Sequence, residues 1–401
     1  MSESKPQSQP PAIARVITRL NIGGPSIQAV RLTTALNDHG YTSELFHGRL
    51  GDGEGDMSYL IPPQARTTYI GTLCRPLSPA NDLRTLLRLY QEMRRVRPRI
   101  VHTHMAKAGL LGRIAAAAYN LTRGTSPRAM VVHTYHGHVL DGYFSKLMTA
   151  VFIGLERLLA RVSDAIIAIS PAIRADLLHT YRIGQESQYR VVPLGFDLAP
   201  FAAVDAAARV DARRTLDVPP GVPVVATVGR LTAIKQHHLF LEVVQRLVAD
   251  HPTLVALIAG DGEMRGELEA AAQQLGIAGH VRFLGWRRDL ATIYAATDVF
   301  LLTSRNEGTP VALIEAMATA VPGVSTDVGG VKDVINSEDL GRLAPFGDAA
   351  GLAAAAGFLL ADPALRAAMG ARARTQVLAR FGVERLVADI AEVYRGLLRG
   401  R

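Results

Sequence analysis

Arg230 and Lys235 are two cations five residues apart, and Glu307 and Glu315 are two carboxylates eight residues apart. A guanidinium offers a planar fork of donors and an ammonium a compact charge, so the first pair suits a diphosphate. The carboxylates are acceptors for hydroxyl groups, and taken alone they could also serve as an acid and a base. A substrate carrying both a diphosphate and sugar hydroxyls would use all four. A second group is rich in imidazole: His102, His104, His133, His136 and His138. Their positions alternate across strand pleats and no Cys or carboxylate completes a zinc set, so a polar wall with one functional imidazole is expected. His136 is the choice for that imidazole, because Gly137 beside it permits close approach.

The surrounding elements are read from apolar patterning. Residues 299–303 read as a buried strand, and Thr309 before Pro310 reads as an N-cap with proline at the first helical position. The intervening loop therefore opens at the carboxyl end of a strand, where open parallel sheets bind ligands and a helix N-terminus favours anions. Glu315 lies about one and a half turns into the helix and leans back toward its start, so both carboxylates are expected at one crevice. Arg230 and Lys235 follow a strand at residues 224–228. Further strands at 254–259, 281–285 and 324–328 end in glycine-bearing turns.

In the first half a strand at 13–17 precedes Gly23-Gly24-Pro25-Ser26 and a helix at about 27–39. The glycine pair lets backbone approach a ligand but is not the dinucleotide fingerprint. Strands at 100–104 and 130–133 carry the histidines. Residues 51–56 are expected to be a flexible acidic loop; an EF-hand would need Glu where Pro63 stands. A helix at about 144–162 has an apolar stripe, Leu147, Met148, Val151, Leu155, Leu158 and Leu159, which is expected to face the core, with a membrane surface as the alternative. Strand and helix alternate throughout, which predicts an α/β chain with two doubly wound sheets. The expected division is a disordered tail at 1–11, a domain at 12–196, a second at 197–382, and a last helix at about 383–401.

The 401 residues carry a net charge of +8, placed unevenly. Residues 1–200 hold 23 Lys and Arg against 14 Asp and Glu, whereas residues 201–401 hold 21 against 22. Arg75, Arg84, Arg88, Arg94, Arg95, Arg97 and Arg99 make up much of the excess. Such a patch suits anionic lipid, nucleic acid or a phosphorylated substrate, and equally a solvated helix face. One cysteine, Cys74, cannot form an internal disulfide, which fits a reducing cytoplasm. No uninterrupted apolar run reaches the ~18 residues of a spanning helix, and the polar, proline-rich start lacks the apolar core of an export signal.

Taken in order, Gly23-Gly24, His136-Gly137, Val228-Gly229-Arg230-Leu231 with Lys235, Gly260-Asp261-Gly262, and Glu307 with Glu315 resemble the family 4 glycosyltransferases of the GT-B fold. The resemblance spans nearly the whole chain after its tail. It implies two facing Rossmann-like domains, acceptor-side at 12–196 and donor-binding at 197–382, with the last helix crossing back to the first. It also implies a retaining enzyme of bacterial polysaccharide or glycoconjugate synthesis. Such an enzyme moves sugar from a nucleotide-diphosphate sugar, UDP by family frequency, to a saccharide or lipid-linked acceptor, without metal or cofactor.

Residue by residue, the resemblance puts Arg230 and Lys235 on the donor diphosphate, Glu315 on ribose hydroxyls and Glu307 on the transferred sugar. It puts Gly308, Thr309, Pro310 and Val311 along phosphate and sugar, and Phe283 and Leu284 near the base. Gly23 and Gly24 border the donor, and His136 meets its sugar beside the reaction centre. The chain departs from the family pattern at Lys235-Gln236, often Lys-Gly, and at Pro25-Ser26, often acidic. In the transition state a sugar with oxocarbenium character leaves a diphosphate, whose growing charge the cations and helix N–H groups would stabilise. Closure of the domains would exclude water. A nucleotide-sugar epimerase of the same architecture is the alternative enzyme. A basic module binding membrane or nucleic acid would leave the second domain's residues unused, so nucleic acid is not an expected partner. The expected location is the cytoplasm, with peripheral contact at the inner face of the membrane through the basic first domain.

Overall fold

Short runs of branched and small apolar residues, each closed by a turn, make thirteen strands in the computed structural model, which describes residues 10–137 and 146–400. The chain forms two compact units, Met1–Phe196 with Val383–Arg401, and Asp197–Gly382. In the first, β1 (Ala12–Ile17), β2 (Thr42–Gly48), β3 (Arg66–Ile70), β4 (Ile100–His104), β5 (Met130–Tyr135), β6 (Ala165–Ala168) and β7 (Tyr189–Val191) form one sheet in the order β3-β2-β1-β4-β5-β6-β7. The second holds β8 (Val224–Val228), β9 (Val255–Ala259), β10 (Val281–Gly285), β11 (Val299–Leu302), β12 (Gly323–Thr326) and β13 (Gly341–Ala344), in the order β10-β9-β8-β11-β12-β13. Every pairing between these strands is parallel. Strand order reverses between β1 and β4 in the first unit and between β8 and β11 in the second, the positions at which doubly wound sheets take ligands.

Each sheet is covered on both faces, which is why its central strands are apolar in both parities. In the first unit Ile13, Ile100, Val132 and Ile167 pack under Leu386, Val387, Ile390 and Tyr394. These last four lie at helical spacing on one side of the helix Val383–Arg399, so the final helix completes the first unit's core. Arg385 anchors its start by donating to the Pro193 and Leu194 carbonyls at 2.9 and 2.7 Å. Val16, Phe46 and Val101 on the opposite face pack under the helices Pro79–Val96 and Ala106–Thr122.

Three readings of the sequence need correction. The apolar stripe at 144–162 is buried only at Leu159: in the helix Lys146–Ala160, Leu147, Val151 and Leu158 are 76%, 55% and 56% exposed, and Met148 is exposed too. The inner face is set instead by Glu156, which takes two hydrogen bonds from buried Arg113 and one from the Tyr135 hydroxyl, with Leu159 and Ala160 beside it. A buried charge and its partner cannot be left apart, so the ion pair fixes the helix's rotation and turns Leu147 and Leu158 outward. The loop at 51–56 is held rather than free: Glu54 pairs with Arg19 at 2.5 Å and accepts from the Gly51 N–H, and Met57 N–H donates to Leu20. The helix after Glu307 begins at Val311 with Pro310 as N-cap, because the Val311 N–H folds back onto the Thr309 carbonyl at 2.9 Å.

Candidate active site

In the second unit the loops after β8 and β11 sit on either side of the strand-order reversal, and they are tied together. The Arg305 N–H donates to the Ile234 carbonyl at 2.8 Å, and the Thr303 hydroxyl donates to the Lys235 and Gln236 carbonyls. Gln236 takes a left-handed backbone, φ 52°, to turn the chain into the helix His237–Asp250. This geometry sets Lys235 Nζ 2.6 Å from Glu307 Oε1, and the Ser304 hydroxyl donates to the same oxygen at 2.6 Å. Glu307 is buried, whereas Lys235 keeps part of its surface. The pair is an ammonium and an acceptor oxygen held in one place. Arg230, on the same loop as Lys235, is exposed, and its guanidinium has no hydrogen bond or ion pair to a described residue. Among the described residues that fork is unpaired, on the loop that also carries a held cation.

The loop carrying Glu307 lies against the turn after β12. The Gly330 N–H donates to the Glu307 carbonyl at 2.9 Å, and a Cβ on Gly329 or Gly330 would sit 2.1 or 1.9 Å from the carbonyl oxygens of Glu307 or Gly308. Only glycine permits that approach. A similar contact closes the neighbouring loops, where a Cβ on Gly260 would meet the Gly229 carbonyl at 1.8 Å. The carbonyls of Glu307 and Gly308, where the loop leads into Thr309, are thus closely approached by glycines.

Glu315 takes a different partner from Glu307. The Tyr294 hydroxyl, wholly buried, donates to Glu315 Oε2 at 2.9 Å. Removal from water raises the Glu315 pKa to about 7 against the hydrogen bond's opposite pull. Phe283 and Leu284, at the end of the edge strand β10, pack against opposite faces of the sheet, so each leaves only part of its side chain for a ligand. Sequence reading missed Ser304, Tyr294 and the Gly329-Gly330 support. Ser304 had a usable signal, lying three residues before Glu307.

In the first unit Gly23, φ 153°, caps the helix Gly24–Ala35 at the end of β1, and the helix starts earlier than expected. The imidazoles here do not form a wall of equivalent groups. His102, His104 and His133 are buried within β4 and β5, His136 follows β5, and His138 lies outside the described residues. Arg15 of β1, fully buried, approaches His102 Nδ1 at 3.1 Å and His104 Nε2 at 3.3 Å, and donates to the Tyr394 hydroxyl at 3.4 Å. His104 Nδ1 lies 3.0 Å from His136 Nε2. Burial drives the pKa of His136 down to about 3; burial and neighbouring positive charge, Arg15's included, hold His102 and His104 well below the ordinary range.

Two doubly wound parallel units, with the last helix returned to the first, constitute the GT-B architecture. Anabaena HepE, solved in complex with UDP, matches 96% of this chain and 100% of its own with a TM-score of 0.80 at 20% identity, a likeness of fold. Residues 22–200 match the family model for Glycosyltransferase Family 4, and residues 209–376 match that for Glycosyl transferases group 1. The D-inositol 3-phosphate glycosyltransferase of Xylanimonas cellulosilytica is 32% identical over 311 residues, 74% of this chain and 71% of that protein. The UDP-Gal:alpha-D-GlcNAc-diphosphoundecaprenol alpha-1,3-galactosyltransferase of Escherichia coli is 28% identical over 344 residues, 85% of this chain and 86% of that one. The chain belongs to glycosyltransferase family 4.

Proposed function

We propose that this chain transfers a sugar, with retention of configuration and without a metal, from a nucleotide-diphosphate sugar to a saccharide or lipid-linked acceptor in polysaccharide or glycoconjugate assembly. The second unit takes the donor and the first the acceptor. Arg230 and Lys235 hold the diphosphate, Glu315 accepts from the ribose, and Glu307 accepts from the transferred sugar. The Gly308–Val311 backbone lines phosphate and sugar, Phe283 and Leu284 border the base, and Gly23, Gly24 and His136 meet the donor from the first unit. The observation that carries this reading is the Lys235–Glu307 pair at the strand-order reversal, with Arg230 on the same loop as Lys235. UDP is the preferred carrier, in keeping with the UDP-sugar donor of the Escherichia coli relative and the UDP bound to HepE.

The lipid-linked acceptor of that same relative supports a lipid diphosphate here. Thermal stabilisation across a panel of nucleotide sugars, followed by incubation with and without a GlcNAc-diphosphate lipid, tests the proposal. Transfer that requires acceptor is expected, whereas conversion of donor alone would point to an epimerase.

Peripheral membrane contact is the second part of the reading, favoured by the outward Leu147, Val151 and Leu158 and by the exposed Leu83 and Leu87 on the arginine-bearing helix. That helix is less basic than its sequence suggests, because Arg88 and Arg95 pair with Glu92, and Arg95 also with Glu44. Apolar insertion rather than charge would therefore dominate. Sedimentation with anionic and neutral vesicles is expected to show binding to both, stronger to the anionic, and binding to neither would overturn it.

A further inference from the structure

The carboxylate of Glu315 is held at one oxygen only. Oε2 accepts from the Tyr294 hydroxyl at 2.9 Å, whereas Oε1 has no partner among the described residues, and the residue keeps part of its surface. A carboxylate oxygen carries two lone pairs, so Oε1 is the atom left to receive donors from a ligand. Where it points depends on the hydroxyl that holds the other oxygen. A phenolic hydroxyl stands at the far end of a rigid ring, so a small tilt of that ring displaces it most. Two aromatic neighbours oppose such a tilt. Phe300 and Phe201 each meet the Tyr294 ring edge-on, with centroids 5.7 Å away and interplanar angles of 70° and 66°. Phe300 belongs to the buried strand β11 and is fixed by the sheet. Phe201 is half-buried and lies in the short helix Ala199–Ala202, where the chain enters the second unit.

That stretch is fastened to the helices it serves. The Ala202 carbonyl accepts from Arg374 of the helix Pro363–Phe381. Arg209, on the next helix Ala206–Thr215, donates to the carbonyls of Ala295 and Thr319. Ala295 follows Tyr294, and Thr319 closes the helix that carries Glu315. We propose that Phe201, acting through Tyr294, is a positioning residue for the donor site: it holds Glu315 Oε1 in place for two neighbouring hydroxyls of the donor's nucleoside. Phe201 and Tyr294 touch no substrate in this scheme. Donor affinity is thereby set in part by a stretch of chain outside the loops that follow the strands.

Few charges face this relay. The strands β11 and β12 and the helix Ala199–Ala202 carry no titratable side chain, and Tyr294 is the titratable group of the helix Leu290–Ala296. On Pro363–Phe381, Arg366 pairs with Asp298, Arg372 with Asp339 and Arg374 with the Ala202 carbonyl, while Arg380 lies over the Phe381 ring. The Tyr294 hydroxyl is therefore the group that favours ionised Glu315, and without it burial pushes the carboxyl further up.

The identity of the ligand hydroxyls rests on the proposed function; the relay from Phe201 to Glu315 does not. Carbon-13 spectra of labelled glutamate carboxyls in the ligand-free full chain, with Glu315 assigned by Glu315→Gln, follow its titration. Tyr294→Phe is expected to move the midpoint above the starting value of about 7. Phe201→Leu keeps an apolar side chain beside the ring but loses the edge contact. It is expected to move the midpoint the same way by less, and to have no effect in protein that already carries Tyr294→Phe. No shift with Tyr294 present, or a shift that persists without its hydroxyl, would overturn the relay.

Titration calorimetry at about pH 8 with UDP and with 2′,3′-dideoxy-UDP tests the positioning itself. Tyr294→Phe is expected to weaken UDP about tenfold and Phe201→Leu about threefold, while neither changes the affinity for the dideoxy compound. Equal losses for both nucleotides would show a general effect on the fold, and undiminished UDP binding would show none on the site; either result overturns the proposal. So would a dideoxy compound that binds the unaltered protein as tightly as UDP, since Glu315 would then receive no hydroxyls. If the unaltered protein binds no UDP, the reading of the donor falls, and the carboxyl titration still decides the relay.

Discussion

The raised pKa of Glu315 makes a single residue readable in solution. Its value of about 7 in the fold stands above the ~4.3 of an exposed glutamate, so between these limits the folded chain keeps a proton that the unfolded chain has lost. The stability this contributes is full below about pH 4.3 and is lost as pH rises through 7, up to about 4 kcal/mol. Glu315→Gln, neutral at every pH, is expected to remove that decline, so denaturant midpoints of the two proteins converge at low pH and separate above 7; parallel curves would contradict the assignment. Ribose hydroxyls donating to the carboxylate favour its ionised form, so affinity for a nucleotide sugar should rise with pH up to about 7 in the unaltered protein and stay flat in Glu315→Gln. Isothermal titration across pH checks this. Lys235, Arg230 and the two glutamates were legible because their types and spacing follow the strands. Tyr294 and Arg15 were not, since an internal tyrosine and an arginine within an apolar strand announce no partner until distant segments are brought together.

Among the elements, the loop from Ser304 to Pro310 depends on the glycine turn after β12. Gly330→Ala would set a Cβ against the Gly308 carbonyl, 1.9 Å away if nothing moved. Displacing that loop is expected to lower stability by about 1–3 kcal/mol and donor affinity by about tenfold, measurable by thermal melts and by binding. An unchanged affinity would show that the loop does not shape the donor site. The outward stripe of the helix Lys146–Ala160 gives the opposite kind of test. Leu147→Glu with Leu158→Glu should leave stability unchanged, because both side chains are exposed, while weakening vesicle binding; a large fall in melting temperature would mean that the stripe is packed after all. Strands β1, β4, β5, β8, β9, β10 and β11 were readable as apolar runs before turns. β2 and the edge strands β3 and β13 were not, because Glu44, Arg66 and Arg342 break their patterns at positions that stay partly or wholly exposed. The helix's rotation was unreadable for a related reason: an Arg113–Glu156 ion pair across 43 positions outweighs a local apolar stripe.

For the whole molecule, each unit is a doubly wound sheet, and in the second the loops that carry Arg230, Lys235 and Glu307 flank the point where its strand order reverses. The alternation of strand and helix foretold this class of fold, and the family resemblance supplied the rest of its expected organisation. The division of labour, donor in the second unit and acceptor at the first, is the central claim. Its most direct test is the rate of sugar transfer from the best nucleotide sugar of the panel to a lipid-diphosphate acceptor, compared between the unaltered protein and Lys235→Ala, with melting temperature as control. The account predicts acceptor-dependent transfer that falls at least ~100-fold in Lys235→Ala while the melting temperature stays within a few degrees, about the loss seen when one donor to a developing anion is removed. Transfer at a near-normal rate by a folded Lys235→Ala protein would contradict it.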